Sequence, residues 1–356
     1  MAKKRRIAIL TGGGDCPGIN AVIRAVAKKA MLEHGWEVIG IEDGFEGLIH
    51  DRHRKLGPSE ISGLLTLGGT ILGTSNTSNP YQYAERDGNR LIFKDVSKTA
   101  VAHLRSLRVE ALVCIGGDGT LGIASRLMKD GVPIVGIPKT IDNDLRGTEV
   151  TFGFDTAVAI ATEAVDRVHT TAQSHHRIMI VEVMGRRAGW IALYAGVAGG
   201  GDIILIPEIP YALEAVRDKV QERKKRGKRF SIVVIAEGAK ARGSDVVVRK
   251  IVETSADPVR LGGVGFVLGE QLEKMTGTET RTVVLGHLQR GGSPTAFDRI
   301  LGTRFGLKAA EIAMKKDYGK MVALRGTQIV TAPLSEAAGK LKTIPLEHFA
   351  EAEEFF

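Results

Sequence analysis

The sequence predicts an α/β protein built on mostly parallel sheets, and three observations predict it. Short apolar runs bounded by glycine and proline recur along the chain, as buried strands do; Ala111-Leu112-Val113-Cys114-Ile115 and Val132-Pro133-Ile134-Val135-Gly136-Ile137 are two of them. Between these two, Leu121, Ala124 and Leu127–Met128 repeat at helical spacing. Polar, glycine-rich phrases follow the runs, at the edge of a parallel sheet where ligands bind. The 356 residues are long for one core and suit two domains.

The elements follow in order. Residues 7–10 read as a first strand, residues 11–18 as a glycine loop and residues 19–33 as a helix. Strand, glycine loop and helix make a phosphate-binding layout. The loop is not G-x-G-x-x-G, because Pro17 stands where the third glycine belongs, and it lacks the Gly-Lys-Ser/Thr of a P-loop. Residues 36–41 read as a second strand, and residues 68–76 form another glycine-rich loop. A long helix begins at Phe152, with Phe154, Val158, Ala161, Val165 and Val168 as a buried stripe. It ends near Ser174-His175-His176-Arg177, where two adjacent histidines are poorly spaced to share one metal. Strands at 178–183, 203–206 and 231–236 alternate with helices at 187–197 and 211–225. A final helix at about 296–315 and one or two strands complete the pattern, and the short acidic tail from residue 346 carries no motif.

Two phrases carry the chemistry: Gly116-Gly117-Asp118-Gly119-Thr120 and Pro138-Lys139-Thr140-Ile141-Asp142-Asn143-Asp144. Glycines at 116, 117 and 119 let backbone amides approach a phosphate, and the helix starting near Gly119 adds its positive end. Asp118 is a hard oxygen ligand suited to Mg2+. Asp142 and Asp144 can divide the work of a base and a supporting group. Either phrase alone reads as an ordinary turn. Two of them on adjacent strand ends point to phosphoryl chemistry.

With three downstream features, the sequence resembles the 6-phosphofructokinase family from about residue 6 to about residue 342. Those features are Val181-Glu182-Val183-Met184-Gly185-Arg186, Glu237 at a strand's end, and a phrase from Arg281 through Gly286-His287-Leu288-Gln289-Arg290-Gly291-Gly292 to Asp298-Arg299. The last is a specific signature, whereas GGDGT recurs in NAD kinases and lipid kinases. The resemblance implies two Rossmann-like three-layer α/β/α domains with the active site in the cleft between them. Residues 1–151 with about 290–342 would bind the phosphoryl donor, and about 152–289 with the C-terminal segment the sugar phosphate. It implies transfer of the γ-phosphoryl of ATP, with Mg2+, to the 1-hydroxyl of fructose 6-phosphate.

It also implies roles for residues. Asp142 is the general base, supported by Asp144, and Asp118 the metal ligand. Gly14, Gly117, Asp118, Gly119 and Thr120 hold the donor. Thr140, Ile141, Asp142, Met184, Gly185, Arg186, Glu237, His287, Leu288, Gln289 and Arg290 hold the sugar phosphate. Arginine suits a phosphate through its planar fork. Arg177 and Arg281 reach the site of a neighbouring subunit, so a homodimer or homotetramer is expected. Gly119 and Lys139 bear on the donor. Pyrophosphate users commonly carry Asp at the first position, so Gly119 favours ATP, whereas Lys139 is shared with pyrophosphate users. Many members carry an arginine where this chain has Asn76; Arg86 and Arg90 are the candidates to replace its charge. A kinase of another substrate leaves the Arg281–Arg299 phrase unexplained, and a non-catalytic subunit would not need both Asp118 and Asp142.

Composition agrees, with 43% hydrophobic and 25% charged residues. The net charge of +8 gathers at residues 3–6 and 223–229 without interleaved aromatics, so no nucleic-acid partner is expected, and anionic small molecules are the better match. No run of about 18 apolar residues exists, so no membrane span is expected. Cys16 and Cys114 lie far apart, which fits a reducing, cytoplasmic setting.

Overall fold

The computed structural model describes residues 4–88, 90–254, 258–339 and 341–354. Lys3 of the first basic cluster and residues 355–356 of the tail lie outside them. In chain order the first half holds β1 (Arg6–Thr11), α1 (Ile19–His34), β2 (Glu37–Ile41), α2 (Phe45–Ile49) and β3 (His53–Leu56). Then come β4 (Tyr83–Asp87), β5 (Arg90–Lys94), α3 (Ser97–Leu107), β6 (Ala111–Gly116), α4 (Asp118–Lys129) and β7 (Ile134–Pro138). The next stretch holds α5 (Phe154–His175), β8 (Ile178–Val183), α6 (Trp190–Ala198), β9 (Ile203–Leu205), α7 (Leu213–Lys225) and β10 (Ser231–Ala236). It continues with β11 (Val248–Ile251), β12 (Val259–Leu261), α8 (Val264–Thr276) and β13 (Thr280–Val284). Last are α9 (Ala296–Met314), β14 (Lys320–Arg325), β15 (Gln328–Pro333) and α10 (Leu346–Glu353).

Among the described residues, seven strands form one sheet in the order β15-β14-β7-β6-β1-β2-β3. Its five inner strands run parallel, and β3 and β15 close its edges antiparallel. All six residues of β6 are buried, as a strand covered on both faces must be. A second, fully parallel sheet has the order β13-β8-β10-β9. Two hairpins, β4–β5 and β11–β12, stand apart from both sheets.

The two sheets share apolar packing. A single buried cluster runs from Ile7 and Val113 in the large sheet through Phe152 and Val165 to Val181 and Val234 in the small one. Chain order and sheet membership differ at the C-terminal end: β14 pairs with β7, and α9 packs on α1. The core is thus continuous between the halves.

Three element boundaries depart from expectation for physical reasons. The long helix starts at Phe154, because Gly153 at its N-cap is left-handed (φ 93°). A Cβ there would lie 2.6 Å from Cys16 Sγ. The helix expected from residue 187 starts at Trp190, leaving Arg186 and Arg187 in an irregular turn. The tail forms α10 and buries Phe349 and Ala352. No helix among the described residues is long and apolar enough to cross a membrane.

Candidate active site

Three adjacent parallel strands, β6 flanked by β1 and β7, end at the same edge of the large sheet. Their C-terminal loops therefore lie side by side. The Gly12 N–H donates to the Ile115 carbonyl at 2.9 Å, and the Lys139 N–H to the Gly116 carbonyl at 2.9 Å, tying all three loops together. Gly116 leaves room for Thr120, whose Cβ would stand 2.3 Å from any Cβ placed at 116. The backbone can then turn tightly into α4, which begins at Asp118 with its free N–H groups aimed at the loop.

Two cavities open above this edge. One, of about 400 Å3, is lined by Gly117, Asp118, Gly119, Thr120, Lys139, Thr140, Asp144 and Arg187. The other, of about 700 Å3, is lined by Met184, Glu237, Arg249, Lys250, Arg260 and His287. Gly13, Gly14, Asn76, Asp142, Arg186 and Arg290 line both, so the cavities meet at Asp142. A group bound in one reaches a group bound in the other at that carboxylate.

The electrostatics at the junction are those of a crowded cation–carboxylate cluster. Burial pushes the Asp142 carboxyl up, with Arg290 opposing and Asp118 adding to the rise. Its Oδ1 is buried with no hydrogen-bond partner among the described residues. Asp144 is also pushed up, by burial and then by Asp142 and Asp118. Burial lifts Glu237 to about 7, Asp142 adding to the rise. Lys139 is buried, and that burial lowers it to about 8. Its ammonium donates to the Gly14 carbonyl. Arg290 lies over the same glycine and donates to the Asp15 carbonyl at 3.0 Å; a Cβ at Gly14 would stand 2.7 Å from its guanidinium. A side chain at Gly14 would therefore push the Arg290 guanidinium aside.

The carboxylates suit a hard cation. Asp118 accepts the Gly119 N–H through Oδ1 at 2.7 Å, and its Oδ2 lies 3.9 Å from Arg187. The orphaned Asp142 Oδ1 and the mutually repelling charges of Asp118, Asp142 and Asp144 are what an added Mg2+ would relieve. Among the described residues no three His, Cys, Asp or Glu side chains form a ready-made cage. Such an ion would be held by one or two carboxylates with a ligand's phosphate oxygens, as Mg2+ commonly is.

Other residues named from the sequence lie elsewhere. The Ile141 side chain is buried in the apolar core, leaving only its backbone for the site. Gln289 is buried and supports Met184, whose N–H it accepts at 3.2 Å, while Leu288 is exposed. Gly185 holds a backbone turn at φ 139° beside Arg186. Arg177 and Arg281 sit at the start of β8 and β13, roughly 20 Å along the strands from Met184. Both pair there with Glu279, so this chain does not bring them into its own cleft. Arg86 and Arg90 lie on the β4–β5 hairpin and line neither cavity. Asn76 shares the smaller cavity with Lys139, Arg186, Arg187 and Arg290, and Arg187 lies ahead of the helix expected to begin with it. The β11–β12 hairpin adds Arg249, Lys250 and Arg260, and no motif marked them.

The sheet topology defines an α/β protein whose cleft joins two cavities, both lined by cations, at one carboxylate. The family model described as Phosphofructokinase matches residues 6–313, and the chain belongs to that family. The chain is 52% identical to the ATP-dependent 6-phosphofructokinase 2 of Clostridium perfringens, over 98% of this chain and 95% of that protein. It is also 52% identical to the pyrophosphate–fructose 6-phosphate 1-phosphotransferase of Amycolatopsis methanolica, over 99% of each. Among solved structures, the T-state phosphofructokinase of Pichia pastoris superposes with a TM-score of 0.82 at 31% identity, covering all of this chain and 37% of that one.

Proposed function

We propose that the chain is an ATP-dependent 6-phosphofructokinase. It transfers the γ-phosphoryl of ATP to the 1-hydroxyl of fructose 6-phosphate, giving fructose 1,6-bisphosphate. The observation that carries this reading is the junction of the two cavities at Asp142, whose Oδ1 is buried and unpartnered. A donor in the smaller cavity and a sugar phosphate in the larger one would present their reacting atoms to that oxygen.

The chemistry follows from placement. Asp142 takes the proton of the sugar's 1-hydroxyl as the hydroxyl oxygen attacks the γ-phosphorus in line; the bond from that phosphorus to the β–γ bridging oxygen breaks and ADP leaves. Burial raises the carboxyl and so makes it a stronger base than a free aspartate. Lys139, Arg187 and the α4 N-terminus face the donor's charge, and positioning with electrostatics supplies most of the rate. Mg2+, held by Asp118 with Asp142 or Asp144 nearby, would neutralise charge on the donor's oxygens. His287 and Arg290 would hold the sugar's phosphate and Glu237 its hydroxyls, with Arg177 and Arg281 arriving from a neighbouring subunit of a homo-oligomer.

Gly119 speaks for the donor. A Cβ there meets nothing within 4 Å, so the cavity beside it is open to a nucleotide's inner phosphate. Pyrophosphate is the second reading, because relatives named for either donor stand at the same 52% identity and Lys139 sits in the donor cavity. Purified protein given fructose 6-phosphate and Mg2+ with ATP or with pyrophosphate decides. Product with ATP alone is expected; product with pyrophosphate alone would overturn the donor assignment. In parallel, Asp142→Asn should lose turnover and keep sugar-phosphate binding, and near-normal turnover would overturn the base assignment.

A further inference from the structure

Residues 341–344 run beneath the cleft and touch both of its walls. On the donor side, Leu341 forms an antiparallel bridge with Leu145, and the Lys342 N–H donates to the Asp144 carbonyl at 2.8 Å. Arg146 Nε donates to the Leu341 carbonyl at 2.8 Å. The Lys342 ammonium reaches into the same loop. It donates to Asn143 Oδ1 at 2.8 Å, to the Glu149 carbonyl at 2.7 Å and to the Thr148 carbonyl at 3.2 Å. An ammonium has three N–H groups, and all three are engaged.

On the sugar side, Trp190 Nε1 donates to the Lys342 carbonyl at 3.0 Å. Trp190 opens α6, just after the turn that carries Met184 and Arg186. The Ile344 N–H donates to Glu208 at 3.0 Å, and the same carboxylate accepts the Gly189 N–H at 3.1 Å. A few residues thus fasten the Asp142 loop to the turn that faces it across the cleft.

Asn143, between Asp142 and Asp144, is left-handed with φ 50°, a conformation asparagine adopts more readily than most residues with a side chain. It is buried, and its Oδ1 is shared by the Thr151 N–H at 3.2 Å and the Lys342 ammonium. Lys342 also lines a cavity of about 490 Å3 with Arg146, Thr148, Glu149, Arg325 and Glu336. Without the ammonium, the Thr148 and Glu149 carbonyls lose this donor and Asn143 Oδ1 keeps the Thr151 N–H.

We propose that Lys342 is a positioning residue for phosphoryl transfer, holding the Asn143–Glu149 loop, and through it the Asp142 carboxylate, against the sugar-binding turn. This rests on the reading of Asp142 as the base. Lys342 touches no reacting atom, so its loss should act on turnover more than on binding.

The test is Lys342→Met, which keeps the stem and removes the three donors, assayed as intact protein per folded active site. Turnover with fructose 6-phosphate and ATP should fall on the order of 10- to 100-fold, the cost of a misplaced reacting group, with both KM values within threefold. Hydrogen–deuterium exchange should rise across residues 143–151. Turnover within twofold of the parent would overturn the proposal, as would a large rise in KM with kcat retained. If Lys342→Met does not fold, Trp190→Phe decides: a fall in kcat at constant KM supports the tie, and unchanged kcat refutes it. Asp142→Asn run alongside separates the two ideas. Its retained turnover would sink the base assignment, whereas a dead Asp142→Asn beside a fully active Lys342→Met sinks only the role of Lys342.

Discussion

Replacing Gly119 with aspartate should remove ATP from the donor repertoire while leaving the fold intact. The position lies in the first turn of α4, and a Cβ built there meets nothing within 4 Å. The new Cβ therefore displaces no protein atom, at a position that lines the donor cavity. A carboxylate about 5 Å from a nucleotide's inner phosphate, at an effective dielectric of about 20, costs about 3 kcal/mol, or roughly 200-fold in kcat/KM for ATP. The same substitution removes a helix glycine and places a negative charge near the helix's positive end, each favourable by up to about 1 kcal/mol. Repulsion from Asp118 next to it offsets part of that gain. The assay pairs kcat/KM for ATP with the unfolding midpoint. Expected are a large loss with ATP and an unchanged or slightly raised midpoint. ATP turnover within threefold of the parent, in a protein that unfolds normally, would refute the steric and electrostatic argument for the donor.

Other predictions follow from the same geometry. Glu237 is raised from 4.5 to about 7, so the folded state holds its proton more tightly and stability falls as pH rises between those values, by about 3 kcal/mol. Glu237→Gln should flatten that slope in unfolding scans from pH 4 to 8 and raise the midpoint at pH 8; an unchanged slope would show that the carboxyl is not strained by burial. Lys139 is lowered to about 8, so its contribution has the opposite sign and stability recovers as pH rises from about 8 toward 10.5. Lys139→Met should abolish that recovery. Arg281→Ala and Asp142→Asn chains, each nearly inactive alone, should regain activity when refolded together if Arg281 serves a neighbour's cleft; a mixture no more active than its parts rules that out.

Strands β1, β2, β6 and β7 of the first sheet and the loops at their ends were legible from sequence because their signals are local, whereas β3, reading His53-Arg54-Lys55-Leu56, has no apolar run to announce it. Each strand from β6 to β7 is a closed apolar run, and each loop begins where the run stops. α8 was not legible, since Gly265 and Gly269 argue against a helix. Their reason is tertiary: a Cβ at Gly265 would stand 2.9 Å from Thr282 Cγ2, so the glycines let α8 lie directly on β13. The hairpin β11–β12 was equally silent; its residues Val248 and Ile251 are exposed, and its cations matter only through where the hairpin folds back. Arg187 was visible as a residue and hidden as a site member. Nothing in Met184-Gly185-Arg186-Arg187 tells that the helix waits until Trp190. Asp142 stood out in sequence, whereas Lys342, two hundred residues later, had no motif to join.

The place of the last strands in the large sheet bears on how the molecule comes to exist. β14 completes the sheet begun by β1, and α9 covers α1. During synthesis the amino-terminal strands must wait, with apolar flanks uncovered, until most of the polypeptide has left the ribosome. The small sheet, made of strands closer together in the chain, can assemble sooner. A nascent chain stalled before residue 320 would present an open edge at β7 to other chains. The same long closure makes the finished molecule hard to undo piecemeal: loosening its final segment releases both the donor wall and the tie beneath the cleft.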